Sequence, residues 1–309
     1  MNDVLASLGL GEGEHYELAP GQLLGRLTIM HSDEADVIWV DENGAEVAGR
    51  LRLARTLALK PVAGDWVAVK GERVVKVFPR RSELRRTQTH GRPSQVMGAN
   101  IDVVFIVVPL QSELHQRMVE SLTAMVVDAG ARPVLVISKV DEGSGAAEID
   151  ALTERMRALV GNVEQIVTSA ISGEGMERLR SLLGPGVTGV LLGASGAGKT
   201  SLLNSLEGSN ELTRTLSRTG EGRHATSTRK LYRLSSGGVL LDIPGIRFSR
   251  AVADGAGVAP DFSDIQELAL SCKFANCGHG NDLGCAVVAA VLEGSLPHTR
   301  LDLWRQQGA

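Results

Sequence analysis

Gly193-Ala194-Ser195-Gly196-Ala197-Gly198-Lys199-Thr200 fits the pattern G-x-x-x-x-G-K-[ST]. It follows the apolar run VTGVLLG and precedes the helix-like KTSLLNSL, the context in which backbone N–H groups and a helix N-terminus cradle phosphates. In that setting Lys199 reaches the β and γ phosphates, the Thr200 hydroxyl ligates Mg²⁺, and Ser201 follows just inside the helix. Chemistry at a γ-phosphate needs a second carboxylate on the metal side. Asp242, in Asp242-Ile243-Pro244-Gly245 at the end of the run GVLLDI, stands 43 positions after Lys199. Asp242 is expected to hold the metal through water, and the Gly245 N–H to sense the γ-phosphate. A second chemistry lies near the C-terminus. Cys272, Cys277, His279 and Cys285 place three thiols and one imidazole within 14 residues, a tetrahedral Cys₃His set for one structural Zn²⁺. Buried free thiols and an iron–sulfur cluster are the competing readings, and the His ligand and missing fourth Cys favour zinc.

The base has its own signature. Ser138-Lys139-Val140-Asp141 closes the apolar run RPVLVIS, and Thr168-Ser169-Ala170 follows VEQIV. An Asp carboxylate accepts from N1–H and the N2 amine of guanine but would face an acceptor nitrogen in adenine, so Asp141 selects GTP over ATP. The first segment resembles the N-K-x-D guanine motif, with the Lys139 stem covering the base. The second resembles the companion S-A loop, whose backbone N–H meets guanine O6. Ser138 stands where Asn is usual. Its side chain is too short to bridge base and phosphate loop as an amide does, so guanine selectivity with weaker binding is expected.

Elements of three kinds must position these groups. LLGRLTIM, DVIWV, EVAGRLRL, DWVAVK and RVVKVF read as five short strands in about 60 residues, the pattern of an OB-like barrel over 21–85. From residue 101 the period changes to buried strands alternating with helix-like stretches, an α/β sheet with helices on both faces over 98–250. Helix-like segments around the cysteines form a C-terminal domain over 256–309. The fold class is therefore multidomain: barrel, α/β P-loop domain and helical zinc-binding domain, preceded by a tail over 1–20.

The chain has 309 residues, 43% hydrophobic and 22% charged, enough for two or three domains with real cores. Three cysteines confined to 272–285 exclude a disulfide framework across the chain. The densest apolar run, Val103 to Leu110, is far short of the roughly 18 residues that span a bilayer. The N-terminus lacks the basic and apolar regions of a signal peptide, so a cytoplasmic protein is expected. Net charge is −4, but it is uneven. Residues 1–49 hold ten acids against Arg26, whereas 70–92 hold eight bases against two acids. A nucleic-acid contact therefore falls to the basic run and to a smaller group at Arg214, Arg218, Arg223, Arg229, Lys230 and Arg233, with the acidic N-terminus pointing away.

In ordinary GTPases the phosphate loop precedes the guanine motifs; here it follows them. With Gly64-Asp65-Trp66-Val67, the link Pro79-Arg80-Arg81-Ser82, Gly222-Arg223-His224 and the cysteine cluster, this permuted order resembles the circularly permuted ribosome small subunit-dependent GTPases, the RsgA or YjeQ family, over nearly the whole chain. The resemblance implies GTP hydrolysis in late maturation of the 30S subunit, stimulated by the subunit. It implies GTP/GDP, Mg²⁺ and Zn²⁺ as ligands, and 16S rRNA and the 30S subunit as partners of a monomer. It also implies that Gly222 to Ser227 form switch I. The family's first Thr there is Ala225, which moves the metal contact to Thr226, with Ser227 the alternative. Ile246 follows Gly245 where many GTPases carry Gln, so His224 becomes the group that polarises the catalytic water. A phosphotransferase, or an RNA-binding assembly factor in which hydrolysis is not essential, are the other classes.

Overall fold

The computed structural model describes residues 3–86, 95–111, 116–143, 145–207, 230–242, 263–274, 277–280, 282, 284–293, 295–296, 301–302 and 304–305. Among them no helix is long and apolar enough to cross a membrane.

Five strands close the barrel: β1 (Leu23–Met30), β2 (Glu34–Val40), β3 (Glu46–Leu53), β4 (Trp66–Lys70) and β5 (Arg73–Val77). Their spatial order is β1-β2-β3-β5-β4, with β4 returning to β1 and β3 parallel to β5. Alternate residues point inward, so Leu27, Val37, Leu51, Val67, Val69 and Val74 fill the lumen. A ladder of β6 (Glu83–Arg86) with β7 (Gln95–Ala99) links barrel to sheet.

The sheet has the order β10-β9-β8-β11-β13-β12. Its strands are β8 (Val103–Pro109), β9 (Arg132–Ser138), β10 (Glu164–Val167), β11 (Thr188–Gly193), β12 (Lys230–Arg233) and β13 (Val239–Asp242). All pairings are parallel except the β12–β13 hairpin. β8 is apolar at nearly every position because both its faces are covered. Val104, Ile106 and Val108 pack with Val119 and Leu122 of α2 (Gln116–Asp128) and Met156 of α3 (Ala146–Val160). Val103, Phe105 and Val107 pack with Leu179 of α4 (Met176–Ser181) and Leu202 and Leu206 of α5 (Lys199–Glu207). Each such side chain contributes roughly 1.5–3 kcal/mol by leaving water. From β8 the chain winds outward through β9 and β10, then crosses back to β11 on the other side. The crevice between β8 and β11 is therefore the switch point where an open parallel sheet binds ligands.

Part of the acidic tail expected over 1–20 packs onto the barrel. After α1 (Asp3–Ser7), Leu8 and Leu10 are buried. Tyr16 lies 4.7 Å from the Phe78 ring and 5.9 Å from Trp66. Burial, then the Glu14 carboxylate, pushes its hydroxyl up to about 12. Gly9, at φ +89°, passes where a Cβ would come within 2.4 Å of Arg26 and 2.6 Å of the Thr188 hydroxyl, so no larger residue fits. Arg26 is fully buried. It donates to the carbonyls of Leu8 (2.6 Å), Gly64 (3.1 Å) and Asn100 (3.1 Å), its guanidinium 4.8 Å from the Trp66 ring centre. Burial lowers its pKa to about 10, which leaves it charged at neutral pH. One cation thus ties the N-terminal segment, the barrel and the entry to β8.

The basic run 70–92 also divides. Lys70, Arg73 and Lys76 are exposed on the barrel. Arg80, expected to face phosphates, is only 5% exposed, donating to Asp65 at 2.7 and 2.9 Å and to Glu83 at 3.0 Å. Arg81 pairs with Glu14 and Asp102. These two arginines are structural, because carboxylates distant in sequence already neutralise them.

Past the sheet, α6 (Ser263–Leu270) and α7 (Ala286–Leu292) pack through Ile265, Val287, Ala290, Leu296 and Leu301 against Ala124 of α2.

Candidate functional site

The carboxyl ends of β9, β10 and β11 bring the expected loops together. β11 runs into Gly193, at φ +147°, where a Cβ would stand 2.4 Å from the Val107 carbonyl oxygen. Gly196 and Gly198 take φ of +80° and +86°, which turns the backbone inward before α5 begins at Lys199. Lys199 Nζ donates to the carbonyls of Gly193 (2.9 Å) and Ala194 (2.7 Å), so the ammonium lies over its own loop. Thr200 and Ser201 are exposed at the helix start, and Ser195 and Gly196 at the loop crest.

Ser138 ends β9 and is buried. Its Oγ donates to the Ala197 carbonyl at 2.8 Å. β9 and β11 flank β8 closely enough for the hydroxyl to make the phosphate-loop half of the link that an amide would carry on to the base. What the hydroxyl lacks is a second donor for the base. Lys139 adopts φ +61°, a left-handed conformation that swings the chain off the strand end into the short 3₁₀ turn Val140–Glu142. Its Cγ and Cε lie 3.8 and 3.9 Å from where a Cβ on Gly198 would stand, so the stem runs along the phosphate loop. Asp141 is exposed in that turn. The Val140 N–H donates to the Thr168 carbonyl at 3.3 Å, joining the two base loops. Thr168 and Ser169 are fully buried, with Ala170 half-buried after them.

One bracing residue has no local sequence signal. Gln111, just beyond β8, donates its side-chain amide to the Glu142 carbonyl and steadies the turn that carries Asp141. The partners are 31 positions apart, so no motif announces them. β13 ends at Asp242, its backbone beside β11. His224, Thr226, Ser227 and Gly245 lie outside the described residues.

A second centre sits between α6 and α7. Cys272 Sγ is 3.5 Å from His279 Nδ1 and 3.8 Å from Cys285 Sγ, and Cys285 Sγ is 3.6 Å from the same nitrogen. With Cys277, all four donor atoms lie within 4.8 Å of one another. Zinc bonds of about 2.3 Å to sulfur and about 2.0 Å to nitrogen give tetrahedral edges of about 3.8 and 3.5 Å, so the donor set fits such an ion. Burial favours the neutral Cys272 thiol, but the N–H groups of Ala286 and Val287 donate to it and its pKa falls below the ordinary value. Burial pushes Cys277 up to about 11, and the Cys285 and Cys272 thiols add to this. Lys273 N–H donates to Gly284 O at 3.1 Å, pinning the two ligand loops together. Trp304 covers the His279 ring with centroids 5.0 Å apart.

Residues 77–251 match the family described as RsgA GTPase. The small ribosomal subunit biogenesis GTPase RsgA of Methanosarcina acetivorans is 36% identical over 294 residues, covering 92% of this chain and 78% of the relative. Its counterpart in Streptomyces avermitilis is 36% identical over 308 residues, covering 94% and 81%. The crystal structure of YjeQ from Thermotoga maritima aligns at a TM-score of 0.59 with 23% identity, covering 93% of this chain and 97% of that one. YloQ, described as a circularly permuted GTPase, aligns at 0.56 with 21% identity, covering 95% and 96%. Phosphate loop, base loops and these matches agree, and the chain belongs to the RsgA GTPase family.

Proposed function

We propose that this chain hydrolyses GTP on the small ribosomal subunit during its late maturation. The observation that carries this reading is the Ser138 Oγ–Ala197 O bond, which fastens the guanine-type loop to the phosphate loop at the sheet's switch point. Relatives named as small ribosomal subunit biogenesis GTPases supply the choice of partner.

In this reading the backbone N–H groups of Gly193 to Thr200 receive the phosphates, and Lys199 leaves its two carbonyls to meet the β and γ oxygens. Asp141 accepts from the Watson–Crick edge of guanine, the Lys139 stem covers one face, and the Thr168-Ser169-Ala170 backbone meets O6. Thr200 and Asp242 hold Mg²⁺, joined by Thr226. Bound by these residues, Mg²⁺ would supply positive charge against that which develops on the phosphate oxygens. Gly245 N–H senses the γ-phosphate, and His224 polarises the attacking water. Cys272, Cys277, His279 and Cys285 hold one structural zinc. Exposed Lys70, Arg73 and Lys76 meet 16S rRNA phosphates. The protein acts as a cytoplasmic monomer.

GTP turnover is expected to rise on adding purified 30S subunits, with ATP left intact; a rate indifferent to subunits, or equal use of ATP, overturns the reading. Ser138→Ala leaves the buried Ala197 carbonyl without its donor and is expected to weaken GDP binding by about tenfold, ~1.4 kcal/mol. Calorimetric titration with GDP checks this.

A further inference from the structure

Asp141 sits in a turn that is held from both sides. On one side the Val140 N–H donates to the Thr168 carbonyl at 3.3 Å, and the Thr168 N–H donates to Ile137 O at 2.7 Å. On the other, Gln111 donates its side-chain amide to the Glu142 carbonyl. Inside the turn the Glu142 N–H donates to Lys139 O at 3.1 Å and the Gly143 N–H to Val140 O at 3.2 Å. The turn also lies against the residues just past β8: a Cβ on Gly143 would stand 2.4 Å from Leu110 Cδ2. The Leu110 N–H donates to Ser138 O at 2.9 Å, which continues the β8–β9 pairing past Pro109. The peptides on both sides of Asp141 are therefore pinned, and its exposed side chain leaves from a backbone whose position is set.

Ser138, at the start of this segment, does not supply the second tether. A hydroxyl has one O–H to give, and this one is spent on the Ala197 carbonyl at 2.8 Å. The amide that fastens the far end of the turn comes instead from the end of the neighbouring strand, β8. We propose that Gln111 is a positioning residue for guanine selectivity: by fixing the Glu142 peptide it holds the Asp141 carboxylate where it accepts from both N1–H and the N2 amine. This rests on the guanine-nucleotide reading above. Two bonds from one carboxylate to one ring edge need both oxygens aligned, so a small swing of the turn loses one of them. A turn released by Gln111 keeps its Thr168 end and swings about it. Discrimination between bases then falls further than the affinity for purine nucleotides as a class.

The test is calorimetric titration of wild type, Gln111→Ala and Gln111→Glu with GDP and with inosine diphosphate, whose base lacks the N2 amine, and of wild type with ADP. Wild type is expected to bind GDP about tenfold more tightly than inosine diphosphate, the worth of one hydrogen bond to a charged acceptor. Gln111→Glu keeps the length of the side chain but brings no donor to the Glu142 carbonyl. Both variants are expected to lower the preference to about twofold. The added charge of the glutamate repels either diphosphate alike, so the ratio reads the base edge alone. An unchanged ratio in both variants overturns the inference, even if both affinities fall together, because Gln111 would then steady the site without setting selectivity. A ratio lowered in Gln111→Ala but kept in Gln111→Glu overturns it too, since no donated hydrogen would be needed. So does a wild type that binds inosine diphosphate as tightly as GDP. Each of these leaves the wider reading standing if wild type prefers GDP to ADP. A wild type that binds ADP as tightly as GDP removes the wider reading and this inference together.

Discussion

Removal of the zinc proposed for the Cys₃His cluster is expected to unfold residues 263–305 while the barrel and the six-stranded sheet keep their structure. Ile265, Val287, Ala290, Leu296 and Leu301, with Ala124 of α2, are the buried apolar residues described there. A core of that size does not hold so short a segment without a metal or disulfide, and the three cysteines form no disulfide. Structural zinc binding is worth about 10–16 kcal/mol at neutral pH and is at the same time folding energy. A chelator should therefore abolish amide protection in α6 and α7 and leave it intact in β8 and β11. Cys285→Ser makes the sharper version. Cys285 is the N-cap of α7, its sulfur accepting the Val288 N–H at 3.5 Å. A serine hydroxyl keeps that cap but is a poor zinc ligand. Loss of α7 protection in this variant, with metal content falling from one ion per chain towards none, assigns the stability to ligation; full protection without metal assigns it to the apolar contacts.

What the sequence made legible was chemistry written at short range. The phosphate loop, the two base loops and the cysteine cluster each occupy fewer than 15 consecutive residues, and backbone geometry alone converts those spacings into sites. Strand period exposed the barrel and the buried β8 for the same reason. Contacts made at long separation left no such trace. Arg26 meets Gly64 and Asn100, 38 and 74 positions away, and Gln111 reaches Glu142. Counting charges treated Glu14, Arg80 and Arg81 as surface tallies, although the fold pairs Arg80 with Asp65 and Arg81 with Glu14 and Asp102. The acidic N-terminus illustrates the point. Its charge suggested a solvated tail, but Leu8, Leu10 and Tyr16 alternate with those acids and dock against Trp66 and the foot of β11. Ser138 was legible only in part: its hydroxyl makes one bond, to the Ala197 carbonyl, and that pairing across 59 positions depends on strand packing that no local motif announces.

Asp65→Ala is expected to loosen the seam between barrel and sheet by about 3 kcal/mol, at the low end of the range for orphaning a buried charge. Asp65 is fully buried, and its carboxylate accepts from Val62 N–H at 2.7 Å as well as from Arg80 at 2.7 and 2.9 Å. Truncation leaves Arg80, 5% exposed, with only the half-exposed Glu83 carboxylate and the Lys60 carbonyl. Burial pushes the Asp65 carboxyl above its ordinary value, and the Arg80 guanidinium opposes part of that rise. The position lies on the seam itself. Asp65 follows Gly64, which takes φ +90° and where a Cβ would stand 2.3 Å from the Ala99 carbonyl oxygen. The Gly64 carbonyl in turn accepts from both Arg26 and Asn100. A loss of about 3 kcal/mol corresponds to about a hundredfold faster amide exchange, read at Val67 and Val69 of β4 against Val134 and Val136 of β9 as internal reference. Asp65→Asn keeps an acceptor for Val62 and should cost about half as much. Replacing both partners, Asp65→Leu with Arg80→Met, should cost less than Asp65→Ala alone, because no buried charge is then left unpaired. Equal exchange rates in wild type and Asp65→Ala would mean that the guanidinium finds water in the folded state, and that the seam is held by Arg26 and the apolar contacts around Trp66.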